Sequence, residues 1–137
     1  MIFRVLVAAI FLLSMPAWSS SIDEQIESLR PVIGGYPPAI ESKEQLATVV
    51  ASYEKVKSEL DSLIAKNPND LVLLFKRGSL QQMGHNMDYK KAWNGAEHDF
   101  VAILNKDPSQ VQAILALATL YINSSFELAP KAELLFR

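Results

Sequence analysis

The chain contains no cysteine. That excludes disulfides, thiolate metal sites and an acylated lipoprotein amino terminus, and leaves the fold to rest on packing alone. Histidine is nearly as scarce, with 2 in 137 residues, and neither belongs to an HxxxH or HExxH pair. No Gly-rich phosphate loop, GxSxG elbow or dinucleotide fingerprint occurs. Ser52 to Lys55 matches SxxK, but the second Ser motif and the KTG strand of serine acylases are missing. Basic residues form no cluster and the formal charge is −2, so nucleic acid has little electrostatic purchase. Strand signals are lacking too. Val49 and Val50 sit inside a helical period, and no two-residue hairpin turn joins alternating segments. No cofactor and no metal site is expected.

Apolar residues, by contrast, are plentiful at 50%. The first of them form a leader. Arg4 gives a basic start, Val5 to Leu13 is unbroken apolar sequence, Pro16 stops any helix, and Ala17, Trp18 and Ser19 offer a cleavage site. This is the three-part pattern of a secretory signal peptide over residues 1–19, and its apolar run is too short for an ordinary membrane span. The expected protein is therefore exported, periplasmic or secreted, with no membrane attachment after cleavage. Losing Arg4 leaves twelve basic and fifteen acidic residues, a net charge of −3.

From Ser21 the pattern is helical. Ser21 and Glu24 form a capping box, and a short helix is expected as far as Arg30, where Pro31 should end it. Pro31 to Pro38 reads as a Pro/Gly linker, so residues 20–41 are expected to lie outside the main domain of residues 42–137. Ser42 with Gln45 opens a longer helix to about Lys66. Its seam is Leu46, Val49, Tyr53, Val56, Leu60 and Leu63. Asn67 to Asp70 separates it from a largely buried segment, Leu71 to Met83. Gly84 to Asp88 is expected to be a turn. A helix from Tyr89 to Lys106 carries Trp93, Ala96, Phe100, Ile103 and Leu104 on one face. Another runs from Val111 to Ile122, and a last one starts at Glu127 with Ala132, Leu135 and Phe136 as its apolar face.

Two of these segments repeat. Val56, Leu60, Leu63 and Pro68 stand forty residues before Ala96, Phe100, Ile103 and Pro108, with steps of four, three and five in both. The spacing resembles the second helix and closing proline of a tetratricopeptide repeat. In the preceding first helices, Leu74 and Gly78 fit the family pattern, as do Ile114, Leu117, Ala118 and Tyr121. Arg77 and Gln81 depart from it, and Ile103 is larger than usual. Gly78 to Ala96 and Ala118 to Ala132 are longer than the family spacing, which implies enlarged turns. The resemblance covers residues 51–137. It implies an all-α fold of antiparallel helix hairpins stacked as a short right-handed solenoid. The chain stops after Leu134, Leu135 and Phe136 without a polar closing helix. A longer protein, or a partner that covers this end, is expected.

In that family the first helices line a concave groove that holds peptides. Carried over by position, the groove residues are Phe75, Ser79, Gln82 and Met83 from one helix, and Gln112, Leu115, Thr119 and Asn123 from the next. The leading expectation is a non-catalytic scaffold of a bacterial envelope, binding a protein or peptide partner and serving assembly of an envelope complex. Two rivals stand beside it. One is a small hydrolase or metal-dependent enzyme built on His85, His98 and nearby acids. The plainer reading of that segment is a turn whose Tyr89 and Trp93 pack on helix ends. The other rival is self-association through the open carboxy-terminal face and the seam from Leu46 to Leu63.

Overall fold

A computed structural model of the chain describes residues 20–137. The expected leader lies outside the described residues. Those residues form six α-helices and a short 3-10 turn: α1 Ile22–Ile33, α2 Lys43–Lys66, α3 Leu71–Asn86, α4 Ala92–Lys106, α5 Val111–Ser124, the turn Phe126–Leu128, and α6 Ala129–Leu134. The fold class is all-α.

Helix α1 starts as the capping box predicts: the Glu24 N–H donates to Ser21 Oγ, and the Glu24 carboxylate accepts from the Ser21 N–H. It does not stop at Arg30. The helix continues through Pro31 to Ile33 and caps at Gly34, whose N–H donates to the Arg30 carbonyl at 2.8 Å. Pro31 removes one donor, but it sits in the last turn on an exposed face. Continuing the helix completes a seam of Ile26, Leu29 and Ile33, all buried, with Ile33 fully so. Burying such a side chain contributes roughly 1.5–3 kcal/mol, comparable with the cost of a helical proline. Residues 22–33 consequently share a core with α2 and α3 rather than standing outside it. The Pro/Gly loop begins at Gly34 and includes a cis Tyr36–Pro37 peptide.

Ser42 caps α2 by accepting from the Gln45 N–H at 3.0 Å, but the Gln45 side chain reaches the Glu41 N–H instead of that of Ser42. The seam holds at Val49, Tyr53, Val56 and Leu60, then passes to Ile64, with Leu63 half-buried and Leu46 exposed. Alternating steps of three and four average 3.5 residues per turn against 3.6 in the helix, so a second step of four, to Ile64 instead of Leu63, keeps the seam on the buried side.

Helix α3 is the axis of the packing. Leu80 and Met83 belong to the core shared with α1 and α2, while Leu74 belongs to the core shared with α4, α5 and α6. It runs to Asn86, so the expected turn at Gly84 is helix. Gly84 is there for close approach: a Cβ at this position would lie 2.7 Å from the Tyr53 ring. Gly78 meets the Phe100 ring in the same way, also at 2.7 Å. The extra residues between Gly78 and Ala96 thus lengthen α3. The link to α4 is short, with Asp88 and Lys91 in left-handed conformation at φ 57° and 64°. Helix α4 starts at Ala92 rather than Tyr89, and the last helix is interrupted by the 3-10 turn and ends at Leu134.

Arg77 and Gln81 find their reason in Asp99. This carboxylate is fully buried on α4. Arg77 donates to both of its oxygens, Nε to Oδ2 at 2.8 Å and Nη2 to Oδ1 at 2.7 Å. Gln81 Nε2 adds a third bond at 2.9 Å. Arg77 Nη1 also donates to Asp61 of α2 at 2.9 Å, and Lys57 pairs with the other Asp61 oxygen at 2.8 Å. Burial pushes the Asp61 carboxyl up, yet the hydrogen bonds from Lys57 and Arg77 outweigh it and hold the group below its ordinary value. Gly95 makes room for Gln81, since a Cβ there would collide with its Oε1.

Helix α1 touches α2 and α3, and α3 touches α4 and α5. The even-numbered helices α2, α4 and α6 make no such contact with one another among the described residues.

Four outcomes follow for stability in urea melts read by circular dichroism. Gly84→Ala is expected to cost about 1–3 kcal/mol through overpacking against Tyr53. Gly35→Ala, where a Cβ meets nothing within 4 Å, should stay within about 0.5 kcal/mol. Asp99→Leu is expected to cost about 3–5 kcal/mol, because it leaves half-buried Arg77 with Asp61 alone and Gln81 without its acceptor. Adding Arg77→Met and Gln81→Leu to it should recover most of that loss.

Candidate functional groove

The carboxy-terminal ends of α1, α3 and α5 meet around a groove of ≈ 860 Å³. Helix α1 and the loop after it contribute Arg30, Gly34, Gly35 and Tyr36. Helix α3 and its end contribute Phe75, Ser79, Gln82, Met83, His85, Asn86 and Asp88. Helix α5 contributes Ala116, Thr119, Leu120, Asn123 and Ser124. The apolar lining is Phe75, Met83, Ala116 and Leu120, and Met83 and Leu120 are buried.

Of the residues expected in a groove, Phe75, Ser79, Gln82, Met83, Thr119 and Asn123 line this one. Gln112 and Leu115 do not. Gln112 lies in the first turn of α5, at the helix end away from the groove. Leu115 lies on a stripe with Val111 and Ile122, spaced four and seven apart along one side of α5. All three are exposed, as is Phe126 just beyond the helix at 98%.

The sequence reading missed the contribution of α1 and its loop. Its signal was the Ile26, Leu29, Ile33 spacing, which runs across Pro31 and ties this helix to the stack. Asn86 holds the loop in place by donating from Nδ2 to the Ile33 carbonyl at 2.9 Å. The Ala39 N–H closes it from the other side on the Val32 carbonyl at 2.7 Å.

Several polar groups away from the groove are paired: Tyr89 Oη donates to Glu54 at 2.7 Å, Tyr121 Oη to Glu97 at 2.8 Å, and Arg77 and Gln81 to Asp99. Burial, helped by the Glu97 carboxylate, pushes the Tyr121 hydroxyl up to about 12. The buried Tyr53 hydroxyl has no partner; desolvation drives its pKa well up, so it stays neutral. Within the groove the side chains of Ser79, Gln82, His85, Asp88 and Asn123 have no hydrogen-bond or ion-pair partner among the described residues.

The two histidines are not brought together by any shared site. His85 lines the groove. His98 projects from α4 with its side chain 76% exposed, its Nδ1 3.4 Å from Asp99 Oδ1. Among the described residues no group of three or more His, Asp and Glu side chains is placed to hold a metal ion.

Because Asn86 fastens the loop, Asn86→Ala is expected to cost about 1 kcal/mol. Amide hydrogen exchange should quicken at Gly34 to Tyr36 while Ala116 to Leu120 keep their protection.

No protein-family model matches the chain, and neither a curated protein nor a solved structure matches it.

Proposed function

We propose that the chain is a non-catalytic scaffold that holds a segment of a partner protein in the groove formed by α1, α3 and α5. The observation that carries this reading is the convergence of five unpartnered polar side chains over an apolar floor. Amides and hydroxyls such as those of Gln82, Ser79 and Asn123 can hydrogen-bond a peptide backbone, while Phe75, Met83 and Leu120 can take its side chains. Three of the five, Ser79, Gln82 and His85, are half-buried, and a half-buried polar group without a protein partner is kept at a cost unless water or a ligand satisfies it. The groove is where those groups collect.

The tetratricopeptide-like reading of the fold belongs to this proposal. Its support is the forty-residue repeat, the two glycines at close helix crossings, and the contact of α1 with α3 and α3 with α5 on one side only. Successive contact of odd helices without contact of even ones is what a curved stack of hairpins has on its inner side. Export to a bacterial periplasm or beyond, and service to an envelope complex, rest on the leader in residues 1–19. A catalytic role for His85 and His98 has less support, since the two face different surroundings.

A second reading has its own observation. Val111, Leu115, Ile122 and Phe126 leave an apolar stripe on the last hairpin, which suits self-association. One experiment separates the readings. A photo-reactive phenylalanine analogue is placed in the full chain at Gln82, at Ile122 or at the half-exposed Glu59 of α2, and irradiated in cells. The groove reading expects discrete hetero-crosslinks from Gln82 and none from Glu59. The second reading expects a homodimer from Ile122. Equal or absent crosslinking at Gln82 and Glu59 overturns the groove reading.

A further inference from the structure

We propose that the segment held in the groove presents a lysine or arginine side chain, received where α1, α3 and α5 terminate. This inference rests on the groove reading and specifies its partner.

Consider the charges around the groove. Arg30 is already used, gripping Glu27 through Nε at 2.9 Å and Nη2 at 2.8 Å. Asp88 is the groove's carboxylate, and it has no partner among the described residues. Lys90 and Lys91 follow it in sequence but line no part of the groove. The groove thus has an unpaired acid and no unpaired lysine or arginine.

The helix ends add to this. Each helix carboxy terminus carries a partial negative charge of roughly half an electron on its free carbonyls. Those of α1 and α3 are largely satisfied. Gly34 N–H and Asn86 Nδ2 serve α1, and the N–H groups of Met87, Asp88 and Tyr89 serve α3. Helix α5 differs. It has no basic residue in its last turn, and Ser125, at φ −166° and ψ 156°, leaves the helix extended without returning an N–H to cap it. Asn123 and Ser124 at its end line the groove; Ser124 Oγ donates to the Leu120 carbonyl, and the carbonyls of the helix residues after Leu120 receive no capping N–H. An ammonium or guanidinium group can donate to these carbonyls and to Asp88, and carries the sign that both favour. An acidic segment would meet repulsion from the same groups. The rest of the lining suits the neighbours of such a residue: apolar side chains against Phe75 and Met83, and backbone amides on Gln82 and Asn123.

The test uses the full chain, labelled with nitrogen-15, and end-blocked heptapeptides Ala-Asn-Leu-X-Phe-Asn-Ala in which X is Lys, Arg, Gln or Glu. Binding is read from amide shifts at Gln82, Asp88 and Asn123. The Lys and Arg peptides are expected to bind about three- to tenfold more tightly than the Gln peptide, with Glu weakest. Raising salt should narrow the margin. Asp88→Asn should reduce it, and this variant keeps the backbone, because Asn tolerates the left-handed conformation found there. Equal binding of all four peptides overturns the inference and leaves the groove reading standing. Shifts at none of the three amides with any peptide overturn both.

Discussion

The structure depends on one buried carboxylate. Asp99 sits without solvent on α4, and three hydrogen bonds from α3 make its burial tolerable. An ionised group in that position would be prohibitive alone. Paired, it fixes how α3 lies against α4: the bidentate grip of Arg77 admits one rotation and one register. The third guanidinium nitrogen then reaches Asp61 and carries the constraint to α2. Three helices are thereby set with respect to one another by directional bonds, where apolar packing alone would accept several arrangements. The groove follows from this, because Phe75, Ser79, Gln82 and Met83 belong to the same helix that Arg77 and Gln81 orient.

Close approach is the second constraint, and it works together with the first. Gly78 accepts the Phe100 ring, Gly84 accepts the Tyr53 ring, and Gly95 leaves space for Gln81. Each glycine faces a bulky side chain on a neighbouring helix. Helix α3 can therefore touch α2 on one side and α4 on the other without losing its own continuity. Small-against-large pairing of this kind keeps interior density high where helices cross.

Much of this order was legible in the sequence. Spacing placed the helices, and Ser21, Ser42 and Asp70 marked three of their beginnings. The errors share one cause: local chemistry was read without the contacts that override it. Pro31 looked like a stop, yet Ile33 two residues on had a core to enter. Gly84 looked like a turn, yet it was the only residue that fits against Tyr53. Arg77 and Gln81 looked like faults in a repeat, because their partner Asp99 lies across a helix crossing and no sequence period connects them. Leu115 was carried into the groove by position in the repeat, whereas its stripe with Val111 and Ile122 turns it to the open side. Arg30 and Tyr36 were missed because Pro31 to Pro38 read as a linker that set residues 20–41 apart from the main domain.

Helix α5 shows why these distinctions matter for function. Ala113, Leu117, Ala118 and Tyr121 are buried against α4 and α6. Thr119, Leu120 and Asn123 edge the groove, and Val111, Leu115 and Ile122 are bare. A fourteen-residue helix thus serves three surroundings at once. Its buried face is closed by shape, and its bare stripe offers only apolar area, which discriminates weakly among partners. The groove edge differs because it combines apolar contact with polar groups that the fold leaves unmatched. Discrimination comes from such groups, since a partner that fails to match them leaves them desolvated and unpaired. On physical grounds the selective surface of this chain is the groove, and the apolar stripe is a surface that any sufficiently apolar neighbour could cover.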